Sequence, residues 1–410
     1  MAELNEPTLE RPLYMDILNR FKDSHIIKIL CGVRRAGKSK ILELYARELR
    51  KLDIEGNQIV SRRYTSMELP DNFSARDMYE DLKSAVQVSD KRCYLFLDEV
   101  QEVDGWEKSI NSIFEEFDTD IYVTGSNSKV LSSEISSYLS GRFVSIPVFT
   151  LSFSEYIDFQ KFAGNDSDRD RLIMKYIRMG AFPLVSRSNY NQEDAYQIVD
   201  GIYATVVTRD ISQRHNITNI DMFNRVTSFV CDHLGKTFSA KTIFDFFKSQ
   251  FRSVAIESIY NYLAWLEEAL VIYRCKRYDL QGKEVLKTQE KFYLSDISFK
   301  YSQLGFNQKA MAAVLENIVY LELRRRGYDV YIGKLGDREI DFVATLRNER
   351  VYVQVCRTLP DDNDRELGNL RAIKDNYPKY VVTLDELVTG TDDSGIRIVH
   401  LKDFLLKGTL

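Results

Sequence analysis

The sequence predicts an α/β protein that begins with an open parallel β-sheet covered by helices. Strand-like and helix-like runs alternate up to about residue 155, which is the pattern of an open α/β sheet. The run at residues 26–31 is mostly apolar, as expected of a parallel strand buried on both faces. We therefore expect a ligand site at the carboxyl edge of this sheet.

The loop after this first strand has the pattern of a triphosphate-binding loop. It matches G-x-x-x-x-G-K-[ST] and consists of Gly32, Val33, Arg34, Arg35, Ala36, Gly37, Lys38 and Ser39. A helical stripe follows, so backbone N–H groups and the helix N-terminus would face the β- and γ-phosphates. Lys38 adds a positive charge, and the Ser39 hydroxyl can ligate Mg²⁺. A glycine-containing turn before an ordinary helix is the alternative, but the full match in this setting favours nucleotide binding.

A second strand ends in two acids that would complete the site. Residues 94–97 are apolar and lead into Asp98 and Glu99. We expect this strand to lie beside the first one, with Asp98 at the carboxyl edge, where it would hold Mg²⁺. Glu99 would orient and polarise the attacking water, which favours hydrolysis over transfer to a small acceptor. The alternative for these acids is a solvated loop start.

Two further segments supply candidate residues for the same chemistry. A third strand, at residues 121–124, runs into Ser126 and Asn127. These side chains could contact the γ-phosphate or the attacking water, or could only shape a turn. The segment 139–142 reads L-S-G-R and ends in Arg142. Arg142 could stabilise transition-state charge, in its own chain or on a neighbouring subunit, or could pair with a surface acid.

These motifs follow one another in an order that resembles prokaryotic AAA+-type (P-loop) ATPases with an uncharacterised C-terminal domain. Two later segments, 151–156 (L-S-F-S-E-Y) and 180–183 (G-A-F-P), also fit this family. The resemblance extends over nearly the whole chain and implies ATP as the nucleotide, with Mg²⁺. The doubled arginine, Arg34 and Arg35, belongs to the family pattern and could add charge beside the phosphates or face solvent.

The composition indicates an ordinary globular protein of two to four domains. The chain has 410 residues, of which 44% are hydrophobic and 29% charged. No secretory signal or membrane-spanning stretch is visible, and five scattered cysteines favour free thiols in the cytoplasm over a zinc site. The net charge of −5 gives no general attraction to nucleic acid, so DNA binding would need a local basic patch.

Pattern changes divide the chain into four predicted domains. Residues 1–155 form the ATPase core, and the helical residues 156–230 form a lid over the nucleotide. Residues 231–305 read helix, turn, helix and two strands, which is a winged-helix pattern whose second helix can enter the major groove of DNA. Six basic residues and three acids lie between residues 274 and 291, so this wing is mildly basic. A protein-contact module is the alternative.

The last predicted domain, residues 306–410, is α/β and resembles PD-(D/E)xK, or restriction-endonuclease-like, nucleases. Glu316, Asp341 and Gln354 match the metal-facing positions of that family. Cys356 stands where the family has its catalytic lysine, and losing one such charged group costs about 10²–10³ in rate. We therefore expect a nuclease-like fold with little or no activity. A functioning endonuclease and an unrelated α/β unit with surface acids are the alternatives.

Three functions are compatible with these motifs. The first is an ATP-hydrolysing switch that repositions the winged-helix and nuclease-like region on DNA or on a protein partner. The second is an ATP-gated, metal-dependent endonuclease of a defence or mobile-element system. The third is a nucleotide-dependent scaffold with little turnover, which Glu99 disfavours. The sequence leaves the oligomeric state open, although Arg142 acting on a neighbour would require a homo-oligomer.

Overall fold

The computed structural model describes residues 8–52, 54–65, 69–70, 72–131, 138–139, 141–252, 254–359 and 366–408, with the side chains of residues 129, 131 and 287–289 excepted. The chain forms two compact units. The N-terminal unit is Met1–Val148 with Glu268–Leu270, and the C-terminal unit is Phe149–Glu267 with Val271–Leu410. The predicted boundaries near residues 155, 230 and 305 stay predictions, and Ser140 lies outside the described residues.

The N-terminal unit contains a five-stranded sheet in which every pairing is parallel. Its strands are β1 (Ile27–Cys31), β2 (Ile59–Arg63), β3 (Cys93–Asp98), β4 (Thr119–Gly125) and β5 (Phe143–Pro147), in the order β2-β3-β4-β1-β5. Its helices are α1 (Pro12–Arg20), α2 (Lys38–Lys51), α3 (Ala75–Val86) and α4 (Trp106–Glu116). The predicted parallel α/β sheet is therefore confirmed.

The predicted neighbour of the first strand was wrong. We expected the strand that ends in Asp98 to lie beside β1, but β4 lies between β1 and β3 and pairs with both. Sequence spacing does not reveal this, because parallel strands are joined by long crossovers that allow a later strand to enter between two earlier ones. The inserted β4 brings its own polar carboxyl end between the phosphate loop and the acids of β3.

Burial explains why these segments form the central sheet. Every residue of β1, β3 and β4 is buried, as expected for strands covered by helices on both faces. Helix α2 presents Ile41, Leu42, Tyr45 and Leu49 to the interior at helical spacing. Helix α3 begins at a capping box, in which the side chains of Ser74 and Asp77 satisfy each other's backbone N–H groups.

The first part of the C-terminal unit is helical, as predicted for residues 156–230 and for the helices that follow. Its helices are α5 (Phe153–Phe162), α6 (Arg169–Met179), α7 (Pro183–Ser186), α8 (Gln192–Thr205), α9 (Gln213–His215), α10 (Ile220–Asp232), α11 (Ala240–Ser249) and α12 (Ile256–Glu268), with a π-helical stretch at Val206–Ser212. The polar residues 164–168 lie between α5 and α6.

An eight-stranded sheet forms the rest of this unit. Its strands are β6 (Ile272–Asp279), β7 (Glu284–Leu294), β8 (Asp329–Leu335), β9 (Arg338–Leu346), β10 (Glu349–Val355), β11 (Lys379–Thr383), β12 (Gly390–Thr391) and β13 (Arg397–His400). Helices α13 (Ser298–Leu304), α14 (Met311–Arg325), α15 (Glu366–Arg371) and α16 (Leu401–Leu406) accompany it. The order is β12-β13-β11-β10-β9-β8-β6-β7. The β6–β7 hairpin, predicted as a wing, thus belongs to the same sheet as the nuclease-like strands, because β6 pairs in parallel with β8.

Two general properties follow from the helices and cysteines. No helix in the described ranges is both long and apolar enough to cross a membrane. All five cysteines are buried and free.

Candidate nucleotide-binding site

Two glycines give the phosphate loop its shape. A Cβ atom on Gly32 would lie 2.0 Å from the carbonyl oxygen of Val148, so only glycine allows the backbone to pass here. Gly37 caps the N-terminus of α2 with a φ of 101°, a left-handed conformation that other residues rarely adopt. The loop therefore presents its main chain, and the N-terminus of a 14-residue helix, to whatever binds it.

The side chain of Lys38 points back into this loop. It is 3% exposed, and Nζ donates hydrogen bonds to the carbonyl oxygens of Gly32 (2.8 Å) and Val33 (3.3 Å). Its Nζ also lies 3.9 Å from Oε1 of Glu99. A buried ammonium held by neutral carbonyls, with one carboxylate at longer range, is well placed to take up phosphate oxygens instead.

Oxygen ligands suited to Mg²⁺ converge beside the loop. Ser39 Oγ and Thr124 Oγ1 donate hydrogen bonds to the same carboxylate oxygen of Asp98, at 2.8 Å and 2.7 Å. Thr124 also accepts the backbone N–H of Glu99 at 2.9 Å, so β4 fixes the orientation of both acids. A hydroxyl and a carboxylate in contact are the donor types that Mg²⁺ prefers. Ser39 and Asp98 therefore fit the metal that the fold implies.

Glu99 is held in a strained and buried position. Its φ is 57°, which is uncommon for residues other than glycine. The 8% exposed side chain accepts hydrogen bonds from Ser126 Oγ (2.9 Å) and from Gln101 Nε2. Burial acts to raise the pKa of Glu99, but the charges of Lys38 and Arg34 and these two hydrogen bonds lower the pKa below its ordinary value. Glu99 is therefore an ionised carboxylate at neutral pH.

Three arginines lie around the loop. Arg34 is half-buried, and its charge contributes to lowering the pKa of Glu99. Arg35 is exposed. Arg11 is 3% exposed and donates from Nη1 to the carbonyl oxygen of Ala36 at 2.9 Å. No motif marks Arg11 in the sequence, because its separation of 25 positions from Ala36 gives no periodic signal.

The two polar residues after β4 are both fully buried but have different contacts. Ser126 faces Glu99, as described above. Asn127 donates from Nδ2 to Oε1 of Glu268 at 2.9 Å, and its carbonyl oxygen accepts from Sγ of Cys31, the last residue of β1, at 3.4 Å. Thr124 and Gln101 also contact the acids, although sequence analysis did not select them.

Arg142 lies away from this site in its own chain. Its carbonyl oxygen accepts the backbone N–H of Ile27, the first residue of β1, at 2.9 Å, whereas the phosphate loop follows the last residue of that strand. Four residue steps along a strand span about 13 Å. The guanidinium Nη1 lies 3.1 Å from Oε1 of Glu115, and both side chains are partly exposed. Of the interpretations offered by the sequence, pairing with a surface acid is observed, and a role in stabilising transition-state charge stays a prediction.

The three nuclease-like positions come together in the C-terminal unit. The backbone N–H of Asp341 on β9 donates to Oε1 of Gln354 on β10 at 3.2 Å. Oδ2 of Asp341 accepts from the backbone N–H of Val355 at 2.8 Å. Burial raises the pKa of Asp341 well above its ordinary value, and the negative charge of Glu316 on α14 adds to this shift.

A lysine from β7 occupies the centre of this acid cluster. Lys291 is 2% exposed, and its Nζ lies 2.8 Å from Oε1 of Glu316 and 3.0 Å from Oε1 of Glu339. Tyr293 donates its hydroxyl to the same oxygen of Glu316 at 2.5 Å. Burial acts to lower the pKa of Lys291, but the charges of Glu316, Asp341 and Glu339 raise it above its ordinary value. An ammonium group thus stands between the acids.

These residues do not fit a divalent metal. Within the described part of the chain, no group of three or more His, Cys, Asp or Glu residues is arranged to hold a metal ion. Lys291 already supplies a positive charge to Glu316. Burial raises the pKa of Cys356 to about 11, so the residue at the lysine position of the nuclease pattern is a neutral thiol.

Part of the predicted basic character of the wing is internal. Arg274 donates to Glu267 at 3.0 Å and to Glu290 at 2.8 Å, and Lys291 is buried among acids. Lys287 is outside the side chains that the structure describes. Arg277 also lies near an acid, with its Nη2 4.0 Å from Oε2 of Glu339. The prediction that this hairpin presents a basic face to DNA is therefore weakened, because three of its six basic residues are paired inside the unit.

The fold and the loop are those of a P-loop NTPase domain. Residues 24–157 match an AAA domain, and residues 170–310 match a domain of unknown function, DUF8612. This fold implies nucleotide binding, typically with Mg²⁺. The solved structure of the Walker-type ATPase PABY2304 of Pyrococcus abyssi is similar, with a TM-score of 0.52. The match covers 72% of this chain and 96% of the PABY2304 chain, with 11% sequence identity. A likeness at this level of identity shows the fold alone.

Two curated proteins are similar to almost the full chain. An uncharacterized protein of Haemophilus influenzae is 34% identical over 404 residues, which are 98% of this chain and 100% of the relative. An uncharacterized protein of Methanocaldococcus jannaschii is 30% identical over 367 residues, which are 85% of this chain and 79% of the relative. The chain belongs to the family of these two proteins.

Proposed function

We propose that this protein is an ATP-hydrolysing switch whose nucleotide state repositions the C-terminal region on DNA or on a protein partner. The observation that carries the proposal is the buried, ionised Glu99 beside Lys38, next to the joined pair Ser39 and Asp98. Such an arrangement combines phosphate binding, metal binding and a base. The choice of ATP over GTP comes from the family resemblance.

The side chains divide the work of hydrolysis. Lys38 leaves the loop carbonyls and binds the phosphates, while Ser39 and Asp98 hold Mg²⁺, whose charge offsets that of the phosphates when it is bound. Glu99 accepts a proton from the attacking water as the new P–O bond forms and the bond to the leaving diphosphate breaks. Ser126 and Gln101 keep the Glu99 carboxylate aimed by hydrogen bonds to Oε2.

A short segment offers a route from this site to the rest of the chain. Residues Glu268–Leu270 belong to the N-terminal unit, whereas the chain before and after them belongs to the C-terminal unit. Asn127 holds Glu268 by a hydrogen bond of 2.9 Å, and we propose that the γ-phosphate competes for this asparagine. Glu268→Gln weakens the hold on Asn127, so ATP affinity should be equal or tighter, and the effect of DNA or a partner on hydrolysis should change. An unchanged partner response would contradict this route.

Arg142 is proposed to act only in trans. Arg142 lies beside the amino end of β1, whereas the phosphate loop follows the carboxyl end of that strand. We therefore propose that it contacts a nucleotide bound to a second subunit of a homo-oligomer. Arg142→Ala should lower turnover at protein concentrations where the oligomer forms. Wild-type turnover at every concentration would leave Arg142 with only its surface pair to Glu115, which is worth about 0–1 kcal/mol.

The C-terminal region is proposed to recognise rather than to cut. Helices α11 and α12 with the β6–β7 hairpin have the order of a winged helix, which supports contact with DNA or with a protein. The nuclease-like strands support an endonuclease as the second candidate, but Lys291 and Cys356 disfavour it. Supercoiled plasmid incubated with ATP and Mn²⁺ should stay intact; nicks that disappear in Asp341→Ala would establish the endonuclease instead.

One experiment separates the candidates. Steady-state ATP hydrolysis is measured with and without DNA and RNA, beside Glu99→Gln. A switch hydrolyses ATP at a rate that a nucleic acid or protein partner changes. A hydrolysis rate that no DNA, RNA or candidate protein alters would refute the coupling between hydrolysis and a partner. ATP binding without hydrolysis would support the nucleotide-dependent scaffold.

A further inference from the structure

A cavity of about 820 Å³ in the C-terminal unit has the chemistry of an anion-binding site. It lies among the tip of the β6–β7 hairpin, strands β8 to β10 and the segment that follows α15. Four basic side chains line it, namely Lys283, Arg338, Arg350 and Lys374, together with one acid, Asp375. Its size is in the range of about 300–1,000 Å³ that ligand pockets occupy.

The single acid cannot balance the cations, because four basic side chains line the cavity against one carboxylate. Oδ2 of Asp375 accepts the hydroxyl of Tyr352 at 2.6 Å, and Oδ1 accepts the backbone N–H of Tyr377 at 3.2 Å. Oδ1 also lies 3.8 Å from Nζ of Lys379, which is not among the residues that line the cavity. The acid therefore offsets at most one of the four positive charges, and the residues that line the cavity keep a net positive charge.

The four cations have no acidic partner in the described ranges. Lys283 and Lys374 are exposed and make neither an ion pair nor a hydrogen bond there. Arg338 donates from Nη1 to the carbonyl oxygen of Gly368 at 2.8 Å, a neutral group. Arg350 makes only long contacts of 3.5 Å and 3.4 Å to the hydroxyls of Tyr352 and Tyr278. Four like charges in one concave surface repel one another unless an anion binds.

Aromatic side chains accompany the cations. The guanidinium of Arg350 lies 5.3 Å from the ring centre of Tyr278 and 5.5 Å from that of Tyr377. Tyr377 is 41% exposed, so part of its ring remains open to solvent. Strand alternation places Arg350, Tyr352 and Gln354 on one face of β10. The cavity therefore opens on the same sheet face as the nuclease-like position Gln354.

We propose that this cavity binds a short segment of single-stranded nucleic acid. Lys283, Arg338 and Lys374 hold its phosphates, and Tyr377 stacks on a base. Cationic grooves with exposed aromatic rings are the usual means of binding single strands. A duplex is disfavoured, because its bases are paired and stacked inside the helix and cannot stack on Tyr377. The inference deepens the proposed contact with DNA, but it needs neither ATP nor the winged helix.

The test is fluorescence anisotropy of the full chain, without nucleotide, with labelled twelve-residue oligothymidylate at low salt. The double variant Lys283→Glu with Lys374→Glu should weaken binding at least tenfold. It should also flatten the salt dependence by about 0.7 in log–log slope for each lost phosphate contact. Lys161→Glu reverses an exposed charge on α5, outside the cavity, and should bind as the wild type does. Unchanged melting temperatures show that all variants are folded.

Tyrosine substitutions distinguish stacking from simple attraction of anions. Tyr377→Ala should weaken binding about fivefold or more, and Tyr377→Phe should restore it. Wild-type affinity in the double variant, an equal loss in Lys161→Glu, or tighter binding of a twelve-base-pair duplex would overturn the proposal. So would full competition by inorganic phosphate at concentrations matching the oligonucleotide phosphate. Oligonucleotide binding that leaves ATP hydrolysis unaltered would refute the switch on DNA while leaving this site intact.

Discussion

Replacing Glu99 by glutamine is the sharpest test of the proposed chemistry. The amide has the shape of the carboxylate and can still accept the hydrogen bonds from Ser126 and Gln101, so the left-handed turn at this position should remain. What it loses is the negative charge and the ability to accept a proton. Glu99→Gln should therefore retain nucleotide binding and lose most of the hydrolysis.

The structure sets the size and sign of both effects. A positioned general base contributes about 10²–10⁴-fold, so the barrier should rise by about 3–5 kcal/mol. In the unsubstituted protein the carboxylate attracts Lys38 at 3.9 Å, by about 4 kcal/mol for an effective dielectric constant of about 20. With glutamine at position 99, no carboxylate competes with the phosphates for Lys38, and no negative charge repels the phosphates. ATP affinity should therefore be equal or tighter.

The assay pairs phosphate release with calorimetric binding of ATP. Glu102→Gln is the matched control, because it removes an exposed carboxylate three residues further along and should change neither quantity. Full hydrolysis by Glu99→Gln would mean that another residue polarises the water. Loss of affinity together with hydrolysis would instead make Glu99 a structural residue of the loop after β3.

Three further predictions follow from the same contacts. Lys38→Ala removes charge-assisted bonds worth about 1.5–3 kcal/mol, so its Kd for ATP should rise at least tenfold in a calorimetric titration. Lys40, half-buried two positions further along the same helix, is the control. Lys40→Ala should bind ATP normally, and equal affinities in both variants would refute the phosphate loop. The pKa of Glu99 lies below its ordinary value of 4.5, and a general base must be ionised to act. Because of this, kcat/KM should be flat from about pH 6 to 8 and fall only below about pH 4.5. A fall in kcat/KM that begins above about pH 5 would contradict the role of Glu99 as the base. Lys291→Met leaves buried carboxylates unpaired and should cost about 3–5 kcal/mol in the free energy of unfolding. Mn²⁺ should restore part of this loss in thermal melts, whereas Lys276→Met, at an exposed position, should show neither effect. A Lys291→Met variant whose melting does not respond to Mn²⁺ would mean that Lys291 does not take the place of a metal cation.

The N-terminal half shows how far local patterns reach. The strand before the loop, the helix after it and the strand that ends in Asp98 are each visible as contiguous runs. Their order in the sheet is not, because the pairing of β4 with both β1 and β3 depends on segments far apart in sequence. For the same reason Thr124 went unnoticed, although its hydroxyl links Asp98 to Glu99.

The C-terminal half shows the limits more clearly. The acids Glu316 and Asp341 could be selected only because the segment resembles the PD-(D/E)xK nucleases. Nothing in the spacing indicates that Lys291, 25 residues before Glu316, projects between them. The β6–β7 hairpin likewise matched a wing pattern, but only the pairing of β6 with β8 shows that it extends the sheet of β8 to β13.

What the sequence alone determined is the phosphate loop and with it the class of protein, because eight adjacent residues contain the glycines, the lysine and the hydroxyl that this geometry needs. The tertiary structure decided which distant groups join them, such as Ser39 and Asp98, which are 59 residues apart. It also decided that an internal ammonium, rather than open coordination positions, faces the acids of the C-terminal unit. The physical reason is that loop chemistry is local along the chain, whereas the charge balance of a buried cluster is set by every strand and helix packed around it.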